Sequence, residues 1–303
     1  MRARFLLALC TCLLVLGTSA QTKTASKSAA RSKTAAKGKS KTQACAVASF
    51  TPACTLPFDS IKQDGLAIDS KCGESGCAAA DTPGGIQNTA KNNFCATGTA
   101  VTVTPDDLKQ LQADAKTKGV TFGGESEVPT DRSVLQGFDI GGKTVGEGTL
   151  VRMAAFIIET HPADVTSGES VNCKSKGAVM NDVHMALGLK YGANECTSVT
   201  AEISPHFRPQ AWSPVSKVAP KPAKGAGKAA PITKYPLRIT GQLFFDASHV
   251  PCKRLTPVGS NPKRQSLWEI HPIYAIEVCS QTTLAACSAD DDSVWTPLDQ
   301  WKP

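Results

Sequence analysis

Leu237-Arg238-Ile239-Thr240-Gly241-Gln242-Leu243-Phe244-Phe245 is a strand sequence, rich in β-branched and aromatic residues, with Gly241 placed for a bend. Immediately before it runs Ser213 to Lys234, a stretch of Pro, Ala, Lys and Gly that includes Lys221, Lys224 and Lys228. That composition predicts a flexible insertion over 213–234, outside the core. Upstream, three more strands are expected. Thr149 to Ile158 is a long β-compatible run. Val183, Met185 and Leu187 alternate with Asp182, His184 and Ala186, and Val199, Ala201 and Ile203 alternate within Thr197 to Ile203. Downstream, Leu267 to Val278 supplies a fifth. Five strands with a long excursion between the third and fourth is the order of an oligonucleotide/oligosaccharide-binding (OB) barrel. The expected fold is therefore mainly β: an OB-like five-stranded barrel over residues 140–303, with a generic β-sandwich as the alternative. All four tryptophans (Trp212, Trp268, Trp295, Trp301) fall in this half, where the larger core belongs.

Residues 44–125 form a smaller, cysteine-rich unit, too short to rest on a hydrophobic core alone. Thr104-Pro105-Asp106-Asp107-Leu108 combines a cap, a first-turn proline and a capping box, while Leu108, Leu111 and Ala115 recur at helical spacing. A helix is predicted over about 105–118, stopped at Gly119. The remainder, including Cys72-Gly73-Glu74-Ser75-Gly76-Cys77 and Pro83-Gly84-Gly85, reads as disulfide-stapled loop.

The first twenty residues have the form of a signal peptide: Arg2 and Arg4, an apolar run from Phe5 to Leu16, then Thr18-Ser19-Ala20. A secreted or periplasmic location, with Gln21 as the first mature residue and no later transmembrane segment, is expected. Residues 21–43 carry seven Lys or Arg and no acid, a tether that cannot bury a core. Contact of this tail with anionic envelope polymers is one expectation, a solvated spacer the other. These bases and the two leader arginines exceed the whole net charge of +7, so the remaining chain is close to neutral. Of twelve cysteines, two lie in the leader. The other ten are Cys45, Cys54, Cys72, Cys77, Cys95, Cys173, Cys196, Cys252, Cys279 and Cys287, a disulfide set suited to an oxidising compartment. Five fall on each side of residue 125, so either each half keeps a free thiol or a bridge joins the halves.

Asp182-Val183-His184, Glu202-Ile203-Ser204-Pro205, Gly241-Gln242-Leu243-Phe244-Phe245-Asp246 and Trp268-Glu269-Ile270-His271-Pro272 together resemble an uncharacterised bacterial protein family with an OB-fold-like barrel. The resemblance covers about residues 145–279 and implies no established activity. The same residues supply the candidate site. Asp182 and His184 share one face of the second strand, as Glu269 and His271 do on the fifth. Asp246 and His249 close the fourth strand, and Glu202 lies in the third. Imidazoles with carboxylates can ligate a divalent metal such as zinc or manganese, or act as an acid/base pair. The bland alternative is a set of solvated or core-satisfied polar residues.

Other motifs are weaker. Gly137-Phe138-Asp139-Ile140-Gly141-Gly142-Lys143-Thr144 matches the phosphate-binding loop pattern, but Val145-Gly146-Glu147-Gly148 follows where a helix is required. No G-x-S-x-G elbow occurs, and Asp290-Asp291-Asp292 lacks the rest of a calcium loop. Phe207, Arg208, Trp212, Lys253, Arg254, Lys263 and Arg264 are the residues on which single-stranded nucleic acid would stack and pair. Three readings follow: an exported binding or structural module, a metal-dependent hydrolase, and a nucleic-acid or anionic-polymer binder.

Overall fold

A computed structural model describes residues 68, 71–124, 127–162, 165–219, 230–259 and 262–303. The expected leader, the basic tether, Cys45 and Cys54 lie outside these residues. Five long strands form the barrel: β4 (Leu150–Pro162), β5 (Val183–Gly188), β6 (Val199–Ile203), β7 (Leu237–Phe245) and β8 (Trp268–Cys279). Three short strands precede them in the chain, β1 (Val101–Val103), β2 (Phe138–Ile140) and β3 (Lys143–Val145), and β9 (Trp295–Pro297) ends it.

β4 is long enough to close the sheet on itself. Its first half pairs with β7 (Leu150 opposite Gln242, Ala155 opposite Leu237) and its second half with β5 (Phe156 opposite Gly188, Pro162 opposite Val183). The order β4-β5-β6-β8-β7 returns to β4, with β6 and β8 parallel at Ala201 and Ile270 and the other barrel pairs antiparallel. Counted along the chain this is 1-2-3-5-4, the order expected from the sequence. At Gly241 the strands β7 and β8 come together so closely that a Cβ would lie 2.4 Å from the Pro272 carbonyl oxygen. The register slips on either side of it. Any larger residue there would force the two strands apart.

Alternation decides the core. Met153, Ala155, Ile157, Val183, Met185, Leu187, Val199, Ala201, Ile203, Ile239, Leu243, Phe245, Trp268 and Ile270 fill it, all buried. The helix α2 (Pro105–Thr117) starts at the Thr104–Asp107 capping box and buries Leu108, Leu111 and Ala115 in the same core. Ser266 Oγ donates to the Leu108 carbonyl (2.7 Å), and Gln112 Oε1 accepts from Leu267 N (2.8 Å).

Two local expectations change. Pro83-Gly84-Gly85 is not loop but the first turn of a second helix, α1 (Pro83–Lys91), capped by Thr82. The two glycines disguised it, and Gly85 is needed: a Cβ there would lie 1.9 Å from the Ala79 carbonyl oxygen. The ends of the 213–234 segment also enter the core through Val215, Val218 and Ile232, and Val218 bonds Thr160 on β4 through both backbone groups. The phosphate-loop match, already set aside on the sequence, is a β2–β3 hairpin turning at Gly141-Gly142, with no helix to face a phosphate.

The eight cysteines among the described residues are all disulfide-bonded. Cys196 pairs with Cys252 and Cys279 with Cys287. Cys72 pairs with Cys173, in the connection between β4 and β5, so a bridge does join the two halves. No helix among the described residues is long and apolar enough to cross a membrane.

Candidate functional site

The core-facing set on each strand fixes where the remaining side chains point. Since Val183, Met185, Ala201, Ile203 and Ile270 face the core, His184, Glu202, Glu269 and His271 face outward. The sequence had put each pair on a common strand face without saying whether that face turns in or out. They are nevertheless buried, because α1 and the 165–182 connection lie over this face of the barrel. Parallel register at Ala201 and Ile270 sets Glu202 beside His271, and antiparallel register sets His184 opposite Glu202.

Seven candidate residues meet in one connected cluster. His184 Nε2 lies 3.1 Å from Glu202 Oε1, and His271 Nε2 lies 3.3 Å from Asp182 Oδ2 and 3.6 Å from Glu202 Oε2. Glu202, Asp246 and Glu269 form a fully buried carboxylate group, with ligand atoms within 4.8 Å of one another. His249 Nδ1 lies 2.5 Å from Asp246 Oδ2.

What the sequence reading missed are the partners supplied from elsewhere. Lys91, the last residue of α1, places Nζ 2.7 Å from Glu202 Oε2 and 3.3 Å from Asp182 Oδ2. Arg264 Nη1 lies 2.8 Å from Glu269 Oε2 and 3.4 Å from Asp246 Oδ2. Glu169 Oε1 approaches His184 Nε2 at 3.4 Å, Asn172 donates to Asp182 Oδ1, and Gln87 donates to Asp246 Oδ1. No local pattern marks Lys91, since it arrives from a helix the glycines concealed. Only Glu169 (18 %) and His249 (29 %) reach solvent appreciably through their side chains.

Electrostatics within this layer are strong because water is excluded. Burial works against the Lys91 ammonium, but Glu202 and Asp182 outweigh it and hold its pKa well above the ordinary lysine value. Burial likewise opposes the His184 imidazolium, yet Glu202 and Glu169 raise its pKa to about 10. Asp182 is lowered to about 2 despite burial, by Lys91 and His271. Glu202 and Asp246 are also held well below the carboxylate range, against burial, by His184 with Lys91 and by His249 respectively. Glu269 goes the other way: burial, then Glu202 and Asp246, push it well up in spite of Arg264. Burial and the surrounding charges thus push one carboxyl of the cluster up while Asp182, Glu202 and Asp246 are held down.

Elsewhere His161, Glu159 and Glu195 form a smaller, partly exposed group, with His161 Nε2 2.6 Å from Glu195 Oε1. The aromatic and basic residues suited to nucleic acid are mostly internal. Phe207 and Trp212 pack edge to face at 5.4 Å, Arg208 donates to the backbone carbonyls of Ala178, Asn181 and Ile203, and Arg264 is buried in the cluster. Lys253 and Arg254 are the exposed members of that set. No family model, curated protein or solved structure matches this chain.

Proposed function

We propose that this chain is an exported structural or binding module in which the N-terminal segment docks on the barrel as an internal ligand. OB-like barrels take ligands on the face of their second and third strands, between the loops that follow the first and fourth. The cluster occupies that place: His184 and Glu202 on β5 and β6, Glu169 before β5, and Asp246, His249 and Arg264 after β7. The observation that carries the reading is Lys91. Its ammonium lies 2.7 Å from Glu202 and 3.3 Å from Asp182, and so engages two of the three donors that a metal shared with His271 would need. With Arg264 and His184 it supplies the positive charge that the buried carboxylates need. The face is filled from within the chain, and the disulfide from Cys72 to Cys173 ties down the same two segments.

The hydrolase reading keeps one supporting observation. Asp182, Glu202 and His271 bring three buried donor atoms within 4.8 Å of one another, a spacing a divalent ion could bridge. The two readings separate in one measurement. Under the docking reading, purified protein carries no stoichiometric zinc or manganese, and adding either leaves its melting temperature unchanged within about 1 °C, since a ligand stabilises only what it binds. Stoichiometric metal, lost in both His184→Ala and His271→Ala, would establish the metal centre instead.

A further inference from the structure

From the contact geometry we infer that Lys91 and Asp182 are joined by an amide bond between their side chains, formed by the folded chain itself with Glu202 as the proton carrier. Lys91 Nζ and Asp182 Oδ2 are 3.3 Å apart, and Glu202 Oε2 touches the same Nζ at 2.7 Å. All three side chains are at most 9 % exposed. The Asp182 carboxyl is held from two sides: Asn172 Nδ2 donates to Oδ1 at 3.1 Å and His271 Nε2 lies 3.3 Å from Oδ2. Fixing amine and carboxyl in contact converts a very slow bimolecular condensation into an intramolecular one, with effective molarities on the order of 10⁵ M or more.

The step balances without any co-reactant. One proton passes from Nζ through Glu202 to Asp182 Oδ2, converting an ammonium and a carboxylate into an amine and a carboxylic acid. The Nζ lone pair then adds to Cγ, and Asn172 Nδ2 donates to the oxygen on which charge develops. Glu202 takes the second proton from nitrogen and hands it to the departing hydroxyl. The Cγ–Oδ2 bond breaks, the Cγ–Nζ bond remains, and one water leaves. Before reaction the ion pair is the favoured state, so proton transfer within it is the barrier. What favours the product is that a neutral amide replaces two charges withdrawn from water.

The bond would tie α1 to the residue before β5, alongside the Cys72–Cys173 disulfide but indifferent to reductant. It builds on the docking reading, yet the two fail separately. The test is the intact mass of the full mature protein after complete reduction and alkylation, followed by peptide mapping. The expected mass is lower than that of the linear chain by one water, with a branched peptide joining the Lys91 and Asp182 segments and no tryptic cleavage at Lys91. Lys91→Arg keeps the cation but leaves the chain at its full linear mass, and Glu202→Gln lowers the cross-linked fraction at least tenfold. A wild-type mass equal to that of the linear chain overturns the bond, whatever the variants do. If in that case Lys91→Met still destabilises the fold, the docking network stands without it. A cross-link formed undiminished in Glu202→Gln removes Glu202 as the proton carrier.

Discussion

Lys91→Met should lower the stability of the protein by about 3–5 kcal/mol, the usual consequence of removing one partner from a buried ion group. Methionine keeps most of the length and apolar volume of the side chain, so packing is disturbed little. What disappears is the charge that Glu202 and Asp182 face at 2.7 and 3.3 Å. Both carboxylates are almost completely shielded from solvent, so water cannot replace it. Each must then take up a proton or remain uncompensated. The loss is expected whether Lys91 is present as an ammonium or as one side of a cross-link, since both tie α1 to the barrel. Urea unfolding followed by circular dichroism measures it. The double variant Lys91→Met with Glu202→Gln should recover part of the loss, because the second change removes a charge left without a partner. A single variant within about 0.5 kcal/mol of wild type would mean that α1 is not docked through this contact.

Most of the barrel was legible because its signals are local. Leu237–Phe245 is a strand over the same nine residues that the sequence marked, and the long third-to-fourth excursion fixed the order of strands around the barrel. The capping box likewise located α2 to within one residue. The seven site residues could be named because period-two spacing puts Asp182 with His184 and Glu269 with His271 on common faces. Which face could not be read, since β5 and β6 are buried on both sides and their strands carry no polar-out, apolar-in contrast. The cover was invisible for a related reason. A helix opening Pro-Gly-Gly has poor propensity, and what makes it form is the contact at Ala79 together with a buried lysine tens of residues away from its partners in sequence. Long-range charge pairing leaves no periodic trace. The missed residues, Lys91 foremost, are therefore those that reach the cluster from outside the barrel strands.

Stability should be highest near the top of the ordinary carboxylate range, at about pH 4.5, and decline on both sides, more steeply than a neutral surface would give. The alkaline limb belongs to His184. Its folded pKa of about 10 lies above the ordinary value of 6.5, so its contribution is complete below the ordinary value and disappears as pH rises through about 10. A shift of that size corresponds to about 5 kcal/mol over the window. Glu269 acts in the same direction from a lower pH, because its folded pKa is raised and unfolding releases its proton. The acid limb has the opposite sign. Glu202 and Asp246 are depressed, so their contribution is present above the normal carboxylate range and is lost as pH falls through their folded values. Urea midpoints measured from pH 3 to 10 trace both limbs, and His184→Gln tells which group owns the alkaline one. That variant keeps a polar side chain facing Glu202 and Glu169 but cannot titrate, so its midpoint should fall less steeply between pH 6.5 and 9.5 than the wild-type value does. Equal slopes in the two proteins over that range would remove His184 as a buried imidazolium, and with it the claim that the barrel's outer face is neutralised from within.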